Sequence, residues 1–260
     1  MIRSMYSGIS GLKNFQTKLD VIGNNIANVN TYGFKKGRTV FKDLYSQTVA
    51  GATGPGANSG GVNPKQVGLG SQLAAIDTIH SPGSTQFTGN TLDLAIEGDG
   101  FFLVGNDTEK FYTRAGNFYL DQDGAIVDGD GRFLSGTAIN IPEDATSLSI
   151  GQNGQISYVI AGALQEGPVI ELFKFNNPGG LEKAGGNLFR ESPNSGVPLI
   201  GTPGGADGHG VIKSGSLEMS NVDLSEEFTE MIVAQRGFQA NTRIITTSDE
   251  ILQELVNLKR

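Results

Sequence analysis

The 260-residue chain has no cysteine, no tryptophan and only two histidines, His80 and His209. Disulfide scaffolds, thiolate zinc sites, iron–sulfur clusters and cysteine nucleophiles are excluded, and two isolated imidazoles are a poor stock for a metal centre. Long apolar runs are also lacking. The longest, such as Phe101 to Val104, fall far short of the ~18 residues of a membrane span. The start, MIRSMYSGISG, has no apolar core of a cleaved secretory signal, so the expectation is a soluble protein, cytoplasmic or exported with its N-terminus intact. Basic charge is scarce, with 19 Lys+Arg against 27 Asp+Glu and a net charge of −8, which argues against a phosphate backbone or an anionic membrane as partner. No phosphate-binding glycine string occurs, and the nearest approach to a nucleophile elbow, Gly8-Ile9-Ser10-Gly11-Leu12, fails the G-x-S-x-G pattern. The chain is therefore expected to be no enzyme, with no catalytic residue, cofactor, metal or small-molecule substrate.

What is present is organised by period. Met5, Leu12, Leu19 and Ile26 stand seven apart, with Phe15, Ile22 and Val29 three residues after the last three of them, which is an a/d heptad seam. Ile2 and Ile9 widen its start. At the far end Leu224, Met231, Phe238, Ile245 and Leu252 form an unbroken series, with Ile244, Ile251 and Leu258 as a parallel row. Asp223, followed by Glu226 and Glu227, supplies a start signal, and Lys259 and Arg260 suit the negative end of the dipole. The spacing predicts a helix over 223–258. Two terminal stripes without a local helical partner predict a coiled coil, first within the chain and then between copies. Charge agrees in sign: residues 1–45 hold seven basic and two acidic groups, and the last 44 hold four and eight.

Between the ends the period falls to two. Short apolar runs are separated by Asp99-Gly100, Asp123-Gly124, Asp130-Gly131 and Asn153-Gly154, pairs that favour primed turns and antiparallel hairpins. Thirty-eight glycines, about twice the usual share, suit many tight turns. Residues 50–68, rich in glycine, read as a flexible or extended loop. The expected fold is α+β: a discontinuous helical coiled coil over 1–32 and 221–260, a connecting segment over 33–71 and an antiparallel β-domain over 72–220.

Two clusters invite other chemistry. Asp121, Asp123, Asp128 and Asp130 gather enough oxygen to cage calcium, the basis for a calcium-binding adhesin as a remote alternative, but without EF-hand spacing they read as solvated hairpin tips. Lys35, Lys36 and Arg38 beside Tyr32 and Phe34 have the look of a single-strand contact. In an acidic chain the default is a solvated segment after a helix, with no nucleic acid bound.

The string LDVIGNNIANVNTYGFKK, Leu19 to Lys36, resembles the signature of the axial proteins that build the rod and hook of the bacterial flagellum. Asn24, Asn25, Ala27, Asn28, Gly33 and Phe34 are its marked positions. GDGFFLV (98–104), YTRAGNFYLDQDGAIV (112–127) and the segment from Leu217 to Arg260 resemble other parts of the same family. The resemblance implies export without a cleaved signal through the flagellar type III apparatus, then stacking into a hollow homopolymer with the help of an assembly cap. Neighbouring axial proteins of the rod and the hook–filament junction are the implied partners, and the hook–basal body the implied location. The length and the segment around 50–68 resemble the distal rod; DVIGNNIAN with TYGFK, SNVDLSEEF, MIVAQRGFQAN and LVNLKR resemble the hook. The reading adopted is a short hook subunit that transmits torque, with a distal rod subunit as the alternative.

Overall fold

The structure, a computed structural model, describes residues 2–56, 60–106, 109–135, 139–205 and 208–258. The chain divides into a helical unit (1–26, 37–77 and 223–260) and a β unit (27–36 and 78–222).

In the helical unit, α1 spans Ile2–Ala27 and α2 spans Leu224–Asn257. Asp223 caps α2 from an extended backbone, its carboxylate accepting from the amides of Ser225 (2.8 Å) and Glu226 (3.4 Å). Glu226 and Glu227 in the first turn complement the dipole. Lys259 and Arg260 lie outside the described residues. The helices run antiparallel in contact: Gly8 lies by Ile245, Gly237 lies under the Phe15 ring, and Lys18 pairs with Glu230. Gly37–Asp43 pairs with Ser71–Thr78, and Asn14 of α1 donates to Ser71 Oγ at 2.8 Å.

The segment read as a glycine-rich loop carries strand at its two ends. Ser46–Ala50 pairs antiparallel with Lys65–Gly68, and Thr53 bridges Val62. No strong apolar alternation announces this hairpin, because both its strands are exposed throughout.

The β unit is antiparallel throughout its registered pairs. Its largest sheet has the order Glu182–Gly185, Leu188–Arg190, Lys110–Thr113, Phe102–Gly105, Phe133–Leu134, Ile126–Val127, Tyr119–Leu120. A three-stranded meander follows, Ala145–Ile150, Gln155–Ile160 and Ala163–Val169. The two ends of the unit are fastened by pairing Leu94–Glu97 with Val211–Ser214 and Thr85–Phe87 with Ser216–Glu218. The apolar runs are continuous because strands bury both faces. Phe102 and Val104 enter one core with Ile126, Leu134, Ile156 and Leu172, while Phe101 and Leu103 enter a second, aromatic core with Tyr112, Phe173, Phe175 and Phe189. Burying each such side chain is worth roughly 1.5–3 kcal/mol.

Hairpins form at Asp123-Gly124, Asp130-Gly131 and Asn153-Gly154, but not through primed turns, while Asp99-Gly100 joins Leu94–Glu97 to Phe102–Gly105, strands that pair with other partners and make no hairpin together. The Gly124 amide donates to Asp121 O (2.9 Å), Gly131 to Asp128 O (3.0 Å) and Gly154 to Gly151 O (3.0 Å), and in each turn glycine takes a positive φ, from 75° to 80°. Asp123, Asp130 and Asn153 keep negative φ, so these are three-residue turns with the glycine forming a bulge. A primed two-residue turn sits instead at Ala161-Gly162, φ 48° and 82°, joining Ile160 to Ala163.

Candidate self-assembly site

Heptad spacing makes the helices, but the face of α2 that is buried carries few of the expected residues. Glu227, Ala234 and Ser248 are buried on α2, each seven or fourteen residues apart, with half-buried Asn241 completing the row. Small side chains bring the backbones together. A Cβ on Gly237 would sit 2.5 Å from Phe15 Cζ, and one on Gly11 would sit 2.8 Å from Asn241 Oδ1. A search for apolar periods passes over a row of Glu, Ala, Asn and Ser. Of the expected seam, Ile22 is buried; Met5, Leu12, Phe15, Leu19, Ile26, Val29, Met231, Ile245 and Leu252 are half-buried; Leu224 and Phe238 are exposed. Val29 lies beyond α1, in the β unit. Phe15 and Ile245 meet the opposite helix at its glycines. Phe228, Ile232, Val233, Ile244, Ile251 and Leu255 lie exposed, half or more of Ile232 and Val233 facing solvent. These side chains leave apolar surface of α2 open to solvent.

The signature residues are divided between the two units and hold each in shape. In the helical unit, buried Asn25 donates from Nδ2 to Gly37 O (2.9 Å) and to Glu227 Oε2 (3.2 Å), while its Oδ1 accepts from the Gly37 amide (2.9 Å). Asn24 is exposed on the same helix. In the β unit, Ala27 is exposed and Asn28 opens a turn, its carbonyl accepting from the Thr31 amide (3.2 Å) and its Oδ1 from the Thr31 hydroxyl (3.1 Å). Gly33 adopts φ 69°, and a Cβ there would sit 2.4 Å from the Ala115 amide nitrogen, so only glycine fits. Phe34 is buried beneath Lys183, whose Nζ is 5.2 Å from the ring centroid.

Lys35 corrects the expectation of a solvated basic segment. It is 1% exposed, donating to Glu218 Oε1 (2.5 Å) and Ser81 O (2.9 Å). Arg114 Nη1 reaches Glu218 Oε2 at 3.3 Å, and the Gly83 amide reaches Oε1 at 2.9 Å. The ammonium is drawn inward because one buried carboxylate serves two cations and a main-chain donor. Burial still pulls the Lys35 pKa below its usual value, against the opposing attraction of Glu218. Asn221 adds a second clasp, its Oδ1 accepting from the Lys36 amide (2.8 Å) and its Nδ2 donating to Ile79 O (2.9 Å) and Ser81 Oγ (3.0 Å). Neither Glu218 nor Asn221 was marked by sequence reasoning, since a lone Glu and a lone Asn carry no local pattern. Arg38 behaves as expected, exposed and paired with Asp77 at 3.4 Å.

Known proteins give this arrangement its context. Residues 5–35 match the flagella basal body rod protein family, residues 95–158 the flagellar hook protein FlgE/F/G D1 domain, and residues 213–258 the flagellar basal body rod FlgEFG protein C-terminal region. The flagellar basal-body rod protein FlgG of Bacillus subtilis is 62% identical over 264 residues, covering 100% of both chains. That of Borreliella burgdorferi is 40% identical over 267 residues, again covering 100% of both. The chain belongs to the flagellar rod and hook protein family. The flagellar hook protein FlgE of Borreliella burgdorferi, 33% identical with 100% of both chains covered, needs an alignment of 442 residues.

As a rod and hook family member the chain is a non-enzymatic axial structural protein of the flagellar basal body. The aspartates that suggested calcium are hairpin residues here. Asp128 Oδ1 accepts from the amides of Asp130 (2.8 Å) and Arg132 (3.2 Å), and Arg132 pairs with Asp128 (3.2 Å) and Asp130 (2.7 Å). Asp121 Oδ1 is taken by the Gln122 amide.

Proposed function

We propose that this chain is a distal rod subunit, a building block of the straight shaft that carries torque through the basal body. End-to-end identity of 62% with a rod protein of matching length carries this reading. The hook relative needs 442 aligned positions for a chain of 260, so this chain lacks residues for much of a hook subunit. The features that favoured a short hook protein do not discriminate: DVIGNNIAN and TYGFK fall in the N-terminal match to a rod protein family, and SNVDLSEEF, MIVAQRGFQAN and the first four residues of LVNLKR in the C-terminal match shared by the rod and hook members. The calcium-binding adhesin has no observation in its favour.

In this reading the half-buried and exposed apolar positions of the two helices, Met5, Leu12, Leu19, Leu224, Met231, Phe238 and Leu252 among them, pack against copies of the chain and the neighbouring axial proteins. The subunit reaches its place unfolded through the flagellar type III apparatus and is set by an assembly cap. The test is a gene deletion in the flagellated cell, with basal bodies viewed by electron microscopy. Truncated shafts without hooks are expected. Full-length shafts lacking only the curved segment would return the chain to the hook.

A further inference from the structure

A pocket of about 230 Å³ opens in the β unit beside the aromatic core, lined among others by His80, Asp99, Phe101, Arg114 and Lys174. Arg114 is the most buried charge of the lining. Its side chain is 3% exposed; Nη1 serves Glu218 and Nη2 donates to Gly98 O at 2.9 Å, but Nε is buried without an acceptor. Both ring nitrogens of His80 are likewise buried without a hydrogen bond. The Pro178 carbonyl lies near enough to favour a proton on the ring slightly, without closing a bond. His80 is held edge-on to Phe101 and Phe189, at 5.6 and 5.3 Å between ring centroids.

The charges around this pocket do not balance. Lys35, Arg114 and Lys183 all bear on His80 and disfavour its protonation. Glu218 is the carboxylate that answers Lys35 and Arg114, while at the rim exposed Asp99 pairs with Lys174 at 3.5 Å. The surplus is positive, in a partly desolvated site where an opposite charge is strongly attracted. A buried donor without an acceptor and two unoccupied ring nitrogens supply the hydrogen-bonding groups.

We propose that this pocket binds a small oxyanion, a phosphate, a sulfate or a carboxylate group, between Arg114 Nε, His80 and Lys174. The anion supplies the acceptor that Arg114 lacks and offsets the surplus charge. It also makes an imidazolium at His80 more favourable, since its charge opposes those of Lys35, Arg114 and Lys183. Binding therefore takes up a proton, and affinity rises as pH falls, approaching about tenfold per pH unit for one fully coupled proton.

With only two histidines in the chain, nitrogen NMR of the full-length protein labelled at imidazole reads the site directly. Sulfate and, separately, acetate are titrated against chloride at constant ionic strength, at pH 7.5 and pH 6. His80 is expected to shift saturably, and more tightly at pH 6, while His209, whose Nε2 lies 3.1 Å from Leu199 O, stays still. Saturation by sulfate alone assigns the pocket to tetrahedral oxyanions; saturation by acetate as well extends it to carboxylates. Lys174→Met at the rim should weaken the affinity and Asp99→Asn should strengthen it. An absent or non-saturating His80 shift, an equal shift at His209, or weaker binding in Asp99→Asn would overturn the proposal.

Discussion

Glu218→Gln isolates the electrostatic centre of the β unit. The carboxylate accepts from Lys35 and Gly83 on one oxygen and from Arg114 on the other, and its side chain is fully buried. Glutamine keeps the shape but removes the negative charge, and one of its terminal atoms becomes a donor facing another donor. Breaking a buried pair by deleting one partner costs about 3–5 kcal/mol, and two cations share this partner, which favours the upper part of that range. Against a total stability of about 5–15 kcal/mol this is a large loss. In a unit of this size it corresponds to a fall in Tm of roughly 6–20 °C. Scanning calorimetry, with near-ultraviolet circular dichroism of the tyrosines following the β unit, measures it. Lys35→Met added to Glu218→Gln should recover part of the loss, because an apolar side chain replaces a stranded charge. A Glu218→Gln Tm within 1 °C of the parent would refute the reasoning.

His80 is held down to about 4, chiefly by burial and then by Lys35, Arg114 and Lys183. The unfolded chain takes up that proton near its usual 6.5, so stability is full above pH 6.5 and falls between 6.5 and 4, by up to about 3 kcal/mol; urea titrations at several pH values should show this slope, flattened in His80→Phe. Gly237→Val forces a side chain into the Phe15 ring and should weaken helix pairing by about 1–3 kcal/mol, read as lost helicity on heating; an unchanged melt would count against the close approach. Ala161→Asn relieves a left-handed alanine and should stabilise the β unit by about 1 kcal/mol, and a loss of stability would contradict the primed turn. Phe238→Asp should abolish polymerisation while leaving the β-unit melt unchanged, as light scattering and calorimetry would show.

Local pattern carried the elements but not their partners. The heptads from Met5 to Ile26 and from Leu224 to Leu252 placed both helices, and Asp223 placed the start of α2 within a residue, because caps and periods act over a few neighbouring positions. Asp123-Gly124, Asp130-Gly131 and Asn153-Gly154 marked hairpins correctly, yet not the turn type, since the same residues serve both a primed turn and a bulged one; Asp99-Gly100 marked none, because its flanking strands pair elsewhere. Nothing local distinguished the α2 face of Glu227, Ala234, Asn241 and Ser248, whose burial follows from the close approach of α1 at Gly237. Lys35 illustrates the same limit. A lysine beside another lysine reads as solvated until the chain brings back Glu218, 183 residues away.

The central claim, that this chain builds the distal rod, is tested most directly by immunogold labelling of detergent-extracted flagella with antibody to the β unit. Gold confined to the straight shaft within the basal body is the predicted result. Gold along the curved segment outside the envelope would contradict it.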